Sequence, residues 1–347
     1  MTRQAAEARR SFAFVLIPRF NMTALVTTLE PLRIANYLSA RTLYDWRYLS
    51  VEGGPVTASN GMTLDSQAIS QDAEGWDGIF VCGSWDSEHY ENAKLFAWLR
   101  RMDRRGIPLG AMDIGAFILA RAKLLSGYAA TVQWSCLPAF AEQHPGIRAQ
   151  EQLYVIDRNR MTSGGGIAGL DMMLHEIERH HGRQLALEVA DQILHYPPRA
   201  PEAPQRMALG SKQSELHPVA RDAIAIMEEN LEEPVSVPEL ADRLGVSQRK
   251  LERLFRKYLG SSVVGFYHLL RLQYARALLT NTNLSVREVS VAAGFASMSY
   301  FTKSFSAHFG KRPREYREAW PNLDPGPIWP GTTALLVDLA KAARKPA

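Results

Sequence analysis

The sequence predicts two domains of different class: an α/β domain with a largely parallel sheet, then an all-α domain with two helix-turn-helix units. Three observations predict this. Strand and helix patterns alternate over residues 12–195, a proline-rich segment follows, and a pattern of about 50 residues then occurs twice. We therefore predict domains at 1–195 and 215–320, a linker at 196–214 and a tail at 321–347.

The composition is that of a soluble globular protein, with 46% hydrophobic and 22% charged residues in 347. Cys82 and Cys136 are the only cysteines, and they lack metal-ligand spacing, so we expect no disulfide scaffold, metal site or cofactor. The apolar run at 12–17 is too short for a signal peptide, and no stretch reaches the 18 apolar residues of a membrane span. These features predict a cytoplasmic protein.

The first domain contains short, continuous apolar runs that are typical of buried parallel strands. Between them lie longer segments with one apolar face, which predict helices. The predicted strands cover 12–17, 46–51, 55–57, 78–82, 107–112, 128–133, 154–157 and 160–162. The predicted helices cover 22–38, 92–105, 114–125 and 138–144, and a further one follows Gly166 and ends at Arg179.

One junction in this domain has the form of a nucleophile elbow. A strand leads through Met112 into Asp113, small residues flank the turn, and a helix follows. Such a turn exposes one side chain at the top of the sheet, here a carboxylate. We expect the helix N-terminus to help keep Asp113 ionised.

The second domain begins near His217 and carries the repeat. Ser236 and Ser285 each precede a glutamate by three residues, which is the spacing of a helix-capping box. Gly245 and Gly294 follow at the same distance, where a helix must end and the chain turns with positive φ. Each copy then continues into a second amphipathic helix, as in a helix-turn-helix.

The outward positions of the two second helices are the candidate DNA-contacting residues. They are Gln248, Arg249, Arg253, Lys257, Met298, Ser299, Tyr300 and Lys303. Residues 247–317 hold 13 Lys and Arg against 3 Asp and Glu, whereas residues 211–246 hold 3 against 8. Positive charge is therefore concentrated on the repeat, as phosphate binding requires. The alternative is a helical hairpin pair with a solvated basic face.

Together with Gly294-Phe295 and the ending Phe309-Gly310-Lys-Arg-Pro313-Arg-Glu-Tyr316, this repeat resembles the DNA-binding domain of AraC/XylS-type transcription regulators. The resemblance covers about 100 residues. It implies base contacts from Arg249 and Arg253 in the first unit, and from Met298, Ser299, Tyr300 and Lys303 in the second. Family members often have polar residues at the positions of Met298 and Tyr300, so we expect apolar contacts to thymine methyl groups there.

The first domain resembles the PfpI-like branch of the class I glutamine amidotransferase superfamily, which implies a flavodoxin-like fold. That family has a cysteine at the elbow and a histidine partner, and here Asp113 and Gln133 stand at those places. A carboxylate lacks thiolate nucleophilicity, and Gln133 is no general base near neutral pH. Cys82 ends a different strand. We therefore expect no catalytic residues and a sensor domain.

The expected ligand site lies at the carboxyl ends of the strands. Its candidate residues are Glu30, Trp85, Asp113, Gln133 and Trp134. Acidic groups with indole rings suit a cation, best a methylated ammonium such as a betaine. The alternative is that Asp113 caps a helix and the tryptophans belong to the core.

These features predict a ligand-responsive transcription regulator, an activator of a catabolic operon. Its expected partners are double-stranded DNA, a small amine effector, RNA polymerase and a second copy of the chain, without a membrane. Two alternatives are an amidase or hydrolase fused to a DNA-binding domain, and an architectural DNA-binding protein without an effector.

Overall fold

The computed structural model describes residues 9–69, 75–203, 205 and 217–319. The chain divides into two compact units, residues 1–205 and 206–347. Among the described residues, no helix combines the length and the apolar character that crossing a membrane requires.

The strands of the first unit are β1 Arg10–Leu16, β2 Tyr44–Ser50, β3 Gly54–Thr57, β4 Thr63–Ala68, β5 Gly78–Cys82, β6 Leu109–Met112, β7 Ala129–Ala130, β8 Arg148–Ala149, β9 Tyr154–Asp157 and β10 Arg160–Ser163. Eight of them form one sheet in the order β3-β4-β2-β1-β5-β6-β10-β9, and β7 pairs with β8 separately. The neighbours from β4 to β10 are parallel, while β3–β4 and β10–β9 at the edges are antiparallel. This is the predicted flavodoxin-like, largely parallel sheet.

The helices of this unit are α1 Met22–Ser39, α2 Ala93–Arg104, α3 Ala116–Arg121, α4 Leu137–Gln143, α5 Ala168–His181 and α6 Arg183–Gln192. They form a core on each face of the sheet. Phe12 and Phe14 of β1 pack in one core with α1, α5 and α6, whereas Ala13 and Val15 pack in the other with α2 and α3. Burial on both faces explains why β1 is a continuous apolar run.

Several predicted elements differ from the structure. The strand predicted at 128–133 is reduced to β7, because Thr131 bonds to side-chain and loop partners instead of a neighbouring strand. The helix predicted at 114–125 is a 3₁₀ turn, Asp113–Gly115, followed by the shorter α3, and Lys123 beyond it has a φ of 63°. The sequence interpretation also missed α6 and β4, a strand between β3 and β2 with little apolar alternation.

The first part of the predicted linker is bound to the first unit. The Leu153 amide donates to the carbonyls of Pro201 and Ala203, at 3.1 Å each, and Arg199 forms a salt bridge with the buried Asp171. Residues 196–203 and 205 are therefore part of this unit, which the proline content alone did not indicate. The predicted tail lies outside the described residues.

The described helices of the second unit are α7 Pro218–Glu229, α8 Val237–Arg243, α9 Gln248–Leu259, α10 Val263–Asn281, α11 Val286–Ala292, α12 Met298–Phe309 and α13 Pro313–Ala319. They form two apolar cores. The first contains Leu251 and Phe255 of α9, and the second contains Phe301 and Phe305 of α12. The long α10 contributes its first half to one core and its second half to the other, so it joins two helix-turn-helix halves.

Candidate functional site

The elbow at Asp113 forms as predicted. Asp113 follows β6 with a φ of 59°, a left-handed conformation that is strained for a residue with a side chain, and only 4% of it is exposed. Glycines allow this close packing. A Cβ on Gly83 would lie 2.7 Å from the Gly115 amide, and one on Gly165 would lie 2.8 Å from the Asp113 Cβ.

Burial controls the charge of Asp113. It raises the pKa of this carboxyl to about 7, and hydrogen bonds from Asn21 and Ser84 offset the rise only in part. The Asn21 amide nitrogen donates to Asp113 Oδ2 at 2.6 Å. The expectation that the helix N-terminus keeps Asp113 ionised is therefore not met, because desolvation outweighs the favourable contacts.

A second buried carboxyl, Glu88, escaped the sequence analysis. It is 2% exposed, and its Oε2 has no hydrogen-bond partner among the described residues. Burial raises its pKa to about 7, and the negative charges of Asp86 and Asp113 add to the rise. No sequence signal distinguishes this glutamate from a surface one, because its burial depends on the packing around the elbow.

A cavity of about 300 Å³ lies beside the elbow. Its lining residues include Asn21, Gln133, Trp134, the glycines 164–166, Arg199 and Gln205. Two of the predicted ligand residues, Gln133 and Trp134, thus line one cavity. Asp113 is not among the lining residues, but it accepts a hydrogen bond from Asn21, which is. Arg199 and Gln205 were missed, since they come from the predicted linker.

Two other predicted residues lie elsewhere. Glu30 is nine residues beyond Asn21 on α1, about 13 Å along the helix axis, and it pairs with Arg33 at 2.8 Å. Trp85 is 49% exposed and lies under the guanidinium of Arg19, 5.3 Å from the ring centroid. The structure brings Asn21 rather than Glu30 to Asp113, and it places one tryptophan, not two, among the residues that line the cavity.

Among the residues that the structure describes, this site does not combine an ionised thiol with a histidine base, as thiol hydrolysis requires. Gln133 Oε1 accepts hydrogen bonds from the amide, at 2.9 Å, and the hydroxyl of Ser135. Cys82 and Cys136 are buried, and burial raises the pKa of each thiol well above its ordinary value, so neither supplies a thiolate. Among the described residues, no group of His, Cys, Asp and Glu side chains is arranged to hold a metal ion.

The second unit contains the two predicted turns. Ser285 forms a complete capping box with Glu288, whereas Ser236 caps the Glu239 amide and the Glu239 carboxylate pairs with Arg243 instead. Gly245 and Gly294 have φ values of 61° and 71°, as the repeat predicted.

Helix α9 presents a basic face. Gln248, Arg249, Arg253 and Lys257 are all exposed, and the last three, four residues apart, lie on one side of the helix. The opposite side is buried through Leu251, Leu254 and Phe255. This face has the shape and the charge that the DNA major groove accepts.

Helix α12 presents a mixed surface. Met298, Ser299, Thr302, Lys303, Ser306 and Arg312 line one shallow depression. Tyr300 is also exposed, but it lies apart from this depression, with its ring 5.6 Å from that of His268. The sequence analysis missed Thr302 and Ser306, which helical periodicity places next to the predicted residues, and Arg312, which follows the end of α12.

Part of the positive charge of this unit is structural. Arg271 donates to the Ala293 carbonyl at 2.8 Å, and Arg317 donates to the Leu279 carbonyl at 3.0 Å. These two arginines hold the second turn and the end of α10 in place. The exposed Lys and Arg residues are divided between the two halves. Five lie on α9, and five lie in the second half, namely Arg287, Lys303, Lys311, Arg312 and Arg314.

Comparisons with known proteins cover both units. Residues 13–179 match the DJ-1/PfpI family, and residues 240–319 match a helix-turn-helix domain. The chain is 39% identical to the HTH-type transcriptional regulator CdhR of Pseudomonas aeruginosa, over 94% of this chain and 96% of that protein. It is 40% identical to the HTH-type transcriptional regulator GbdR of the same species, over 92% and 88%. A crystal structure of an AraC family transcriptional regulator from Pseudomonas putida aligns with a TM-score of 0.50 at 26% identity, over 53% of this chain and 99% of that one.

Proposed function

Since the chain belongs to the AraC-type transcription regulators that carry an N-terminal DJ-1/PfpI domain, we propose that it binds specific DNA through α9 and α12 in response to a small cationic effector held beside Asp113. The exposed basic face of α9 is the observation that carries the DNA-binding part. We further propose that the chain activates a catabolic operon as a homodimer that contacts RNA polymerase. Transcription in vitro, with and without effector, separates activation from repression.

The role of Arg253 tests the DNA-binding part. Arg253 is exposed at the centre of the outward face of α9, so Arg253→Ala should weaken binding to a site selected from random DNA by about 1–3 kcal/mol. Electrophoretic mobility shifts against selected and random duplexes measure this loss. The matched control is Arg221→Ala, which removes the same charge from the exposed surface of α7. An equal loss on both duplexes would make Arg253 a phosphate contact and refute the assignment.

We propose that the first unit senses rather than catalyses. A buried carboxyl with a pKa of about 7 takes the place of a thiolate, and Gln133 offers an amide where a base is needed. The fused hydrolase would need a nucleophile that the described residues of this cavity do not provide. The DJ-1/PfpI cavity is then available for an effector.

The cavity supports, as the effector, a small zwitterion that carries a cationic ammonium group and a carboxylate. Trp134 offers an aromatic face, and Asp113 offers a nearby carboxyl. Arg199 lines the same cavity, and its Nη1 forms no hydrogen bond with the described residues, so it is available for a ligand carboxylate. A cavity of about 300 Å³ suits a molecule of the size of betaine.

Removal of Trp134 tests the effector site. One lost cation–π contact is worth about 0.5–2 kcal/mol, so Trp134→Ala should weaken the binding of betaine by roughly tenfold. Isothermal titration measures the affinity. Trp85→Ala is the matched control, because this tryptophan is not among the cavity-lining residues, and it should leave the affinity unchanged.

The pH dependence of cation binding provides a second test of the effector site. Cation affinity should rise between pH 6 and pH 8, because Asp113, with a pKa of about 7, becomes ionised in that range. Two outcomes would contradict a cationic effector. One is an anionic ligand that binds as tightly as any amine. The other is an amine affinity that does not change with pH in either the parent or Asp113→Asn.

A further inference from the structure

The side chain of Gln205 lies inside the effector cavity and is held by three acceptors. Its Nε2 lies 2.8 Å from Thr131 Oγ1, 2.8 Å from the Val132 carbonyl and 2.7 Å from the Gln152 carbonyl. Gly164 makes room for it, since a Cβ there would lie 2.3 Å from the Gln205 amide carbon. At this point of the cavity, three oxygen acceptors surround one nitrogen donor.

An amide does not satisfy this site completely. A carboxamide nitrogen carries two protons, whereas three acceptors surround it. Gln205 Oε1 is also buried, and it accepts no hydrogen bond from the described residues. A buried acceptor without a donor is unfavourable, so Gln205 is a poor occupant of a well-formed site. A primary ammonium has three protons, and it matches the three acceptors.

We propose that Thr131 Oγ1 and the carbonyls of Val132 and Gln152 form an ammonium subsite, which Gln205 occupies as an internal ligand. This inference rests on the proposed effector function. A small molecule with a primary ammonium replaces Gln205 there. A quaternary ammonium has no proton to donate, so it binds at Trp134 without displacing Gln205.

Titration of one matched ligand pair tests this subsite. Glycine and its trimethylated form, betaine, share a carboxylate and differ at the nitrogen. If Gln205 occupies the subsite about nine times in ten, Gln205→Ala should strengthen glycine binding about tenfold and leave betaine binding unchanged. Gln205→Glu should act in the same direction, because a carboxylate is repelled by three acceptors. Gln184→Ala, an exposed glutamine on α6, is the control for the substitution itself.

The outcomes separate this proposal from the one on which it rests. Equal glycine affinity in the parent and both Gln205 variants would overturn the ammonium subsite and leave the cationic effector intact. A gain that is the same for glycine and betaine would show steric obstruction and also overturn it. Binding of neither ligand to any variant would overturn both proposals, because the cavity would then not be a site for small amines.

Discussion

Asp113→Asn should raise the free energy of unfolding by about 4 kcal/mol at pH 8 and leave it nearly unchanged at pH 4. The carboxyl has a pKa of about 7 in the folded chain, against 3.8 as its ordinary value. The folded state therefore holds its proton at a pH where the unfolded state has released it. Stability is lost as the pH rises from about 4 to about 7, and the loss levels off above that range.

Asparagine keeps the shape of the side chain and still accepts the hydrogen bond from Asn21, but it carries no charge to desolvate. Urea unfolding across this pH range, followed by tryptophan fluorescence, measures the difference. Glu88 responds to pH in the same direction, so a weaker pH dependence should remain in the variant. Asp191→Asn, at an exposed position on α6, is the control. If Asp113→Asn keeps the pH slope of the parent, the Asp113 carboxyl is not desolvated in solution.

Ionised Asp113 lowers the stability of the folded chain, and this cost indicates a functional role for the residue. Asp113 is a buried acid in a strained turn, and its hydrogen-bond partners, Asn21 and Ser84, are neutral. Such an acid is typical of a functional position rather than a structural one. A bound cation would favour the ionised form and lower the pKa. The pH dependence of unfolding should therefore shrink when an effector is present.

Gly294→Ala should destabilise the second unit by about 3 kcal/mol, and the equivalent Gly245→Ala by about 1 kcal/mol. Both glycines have positive φ, which any other residue adopts at a cost. Only at Gly294 would a Cβ also collide with backbone, 2.4 Å from the Leu231 carbonyl oxygen and 2.8 Å from that of Glu232. At Gly245, no atom of the described residues beyond the glycine and its two chain neighbours lies within 4 Å of the corresponding position.

Calorimetry of the full chain measures both variants, and each one serves as the control for the other. The repeat makes the comparison direct, since both substitutions change the same position of the same motif. Equal destabilisation would mean that Gly294 does not pack on the segment between α7 and α8. The packing of Gly294 on this segment would then contribute nothing to the contact between the two helix-turn-helix halves.

The helix-turn-helix half of this protein was predictable from sequence because its determinants are local. A serine cap, a glycine with positive φ and a basic helical face each depend on residues within one turn or one helix. The 49-residue spacing of Ser236 and Ser285 repeats them, and the structure contains each turn where it was expected. Tyr300 shows the limit, because the direction of an exposed ring depends on His268 of a neighbouring helix.

The cavity beside Asp113, where we propose that the effector binds, was predictable only in part, because its residues come from segments far apart in the chain. The elbow is a local turn, so Asp113 was identified, and Gln133 and Trp134 followed from the next segment. Asn21, Arg199 and Gln205 meet them only when α1 and the chain after α6 pack against the sheet. The same packing buries Asp113 and raises its pKa, and neither burial nor desolvation is a property of a residue in sequence. Sequence alone therefore determined the two domain types and the two helix-turn-helix units, and the tertiary structure decided which groups the proposed effector would meet.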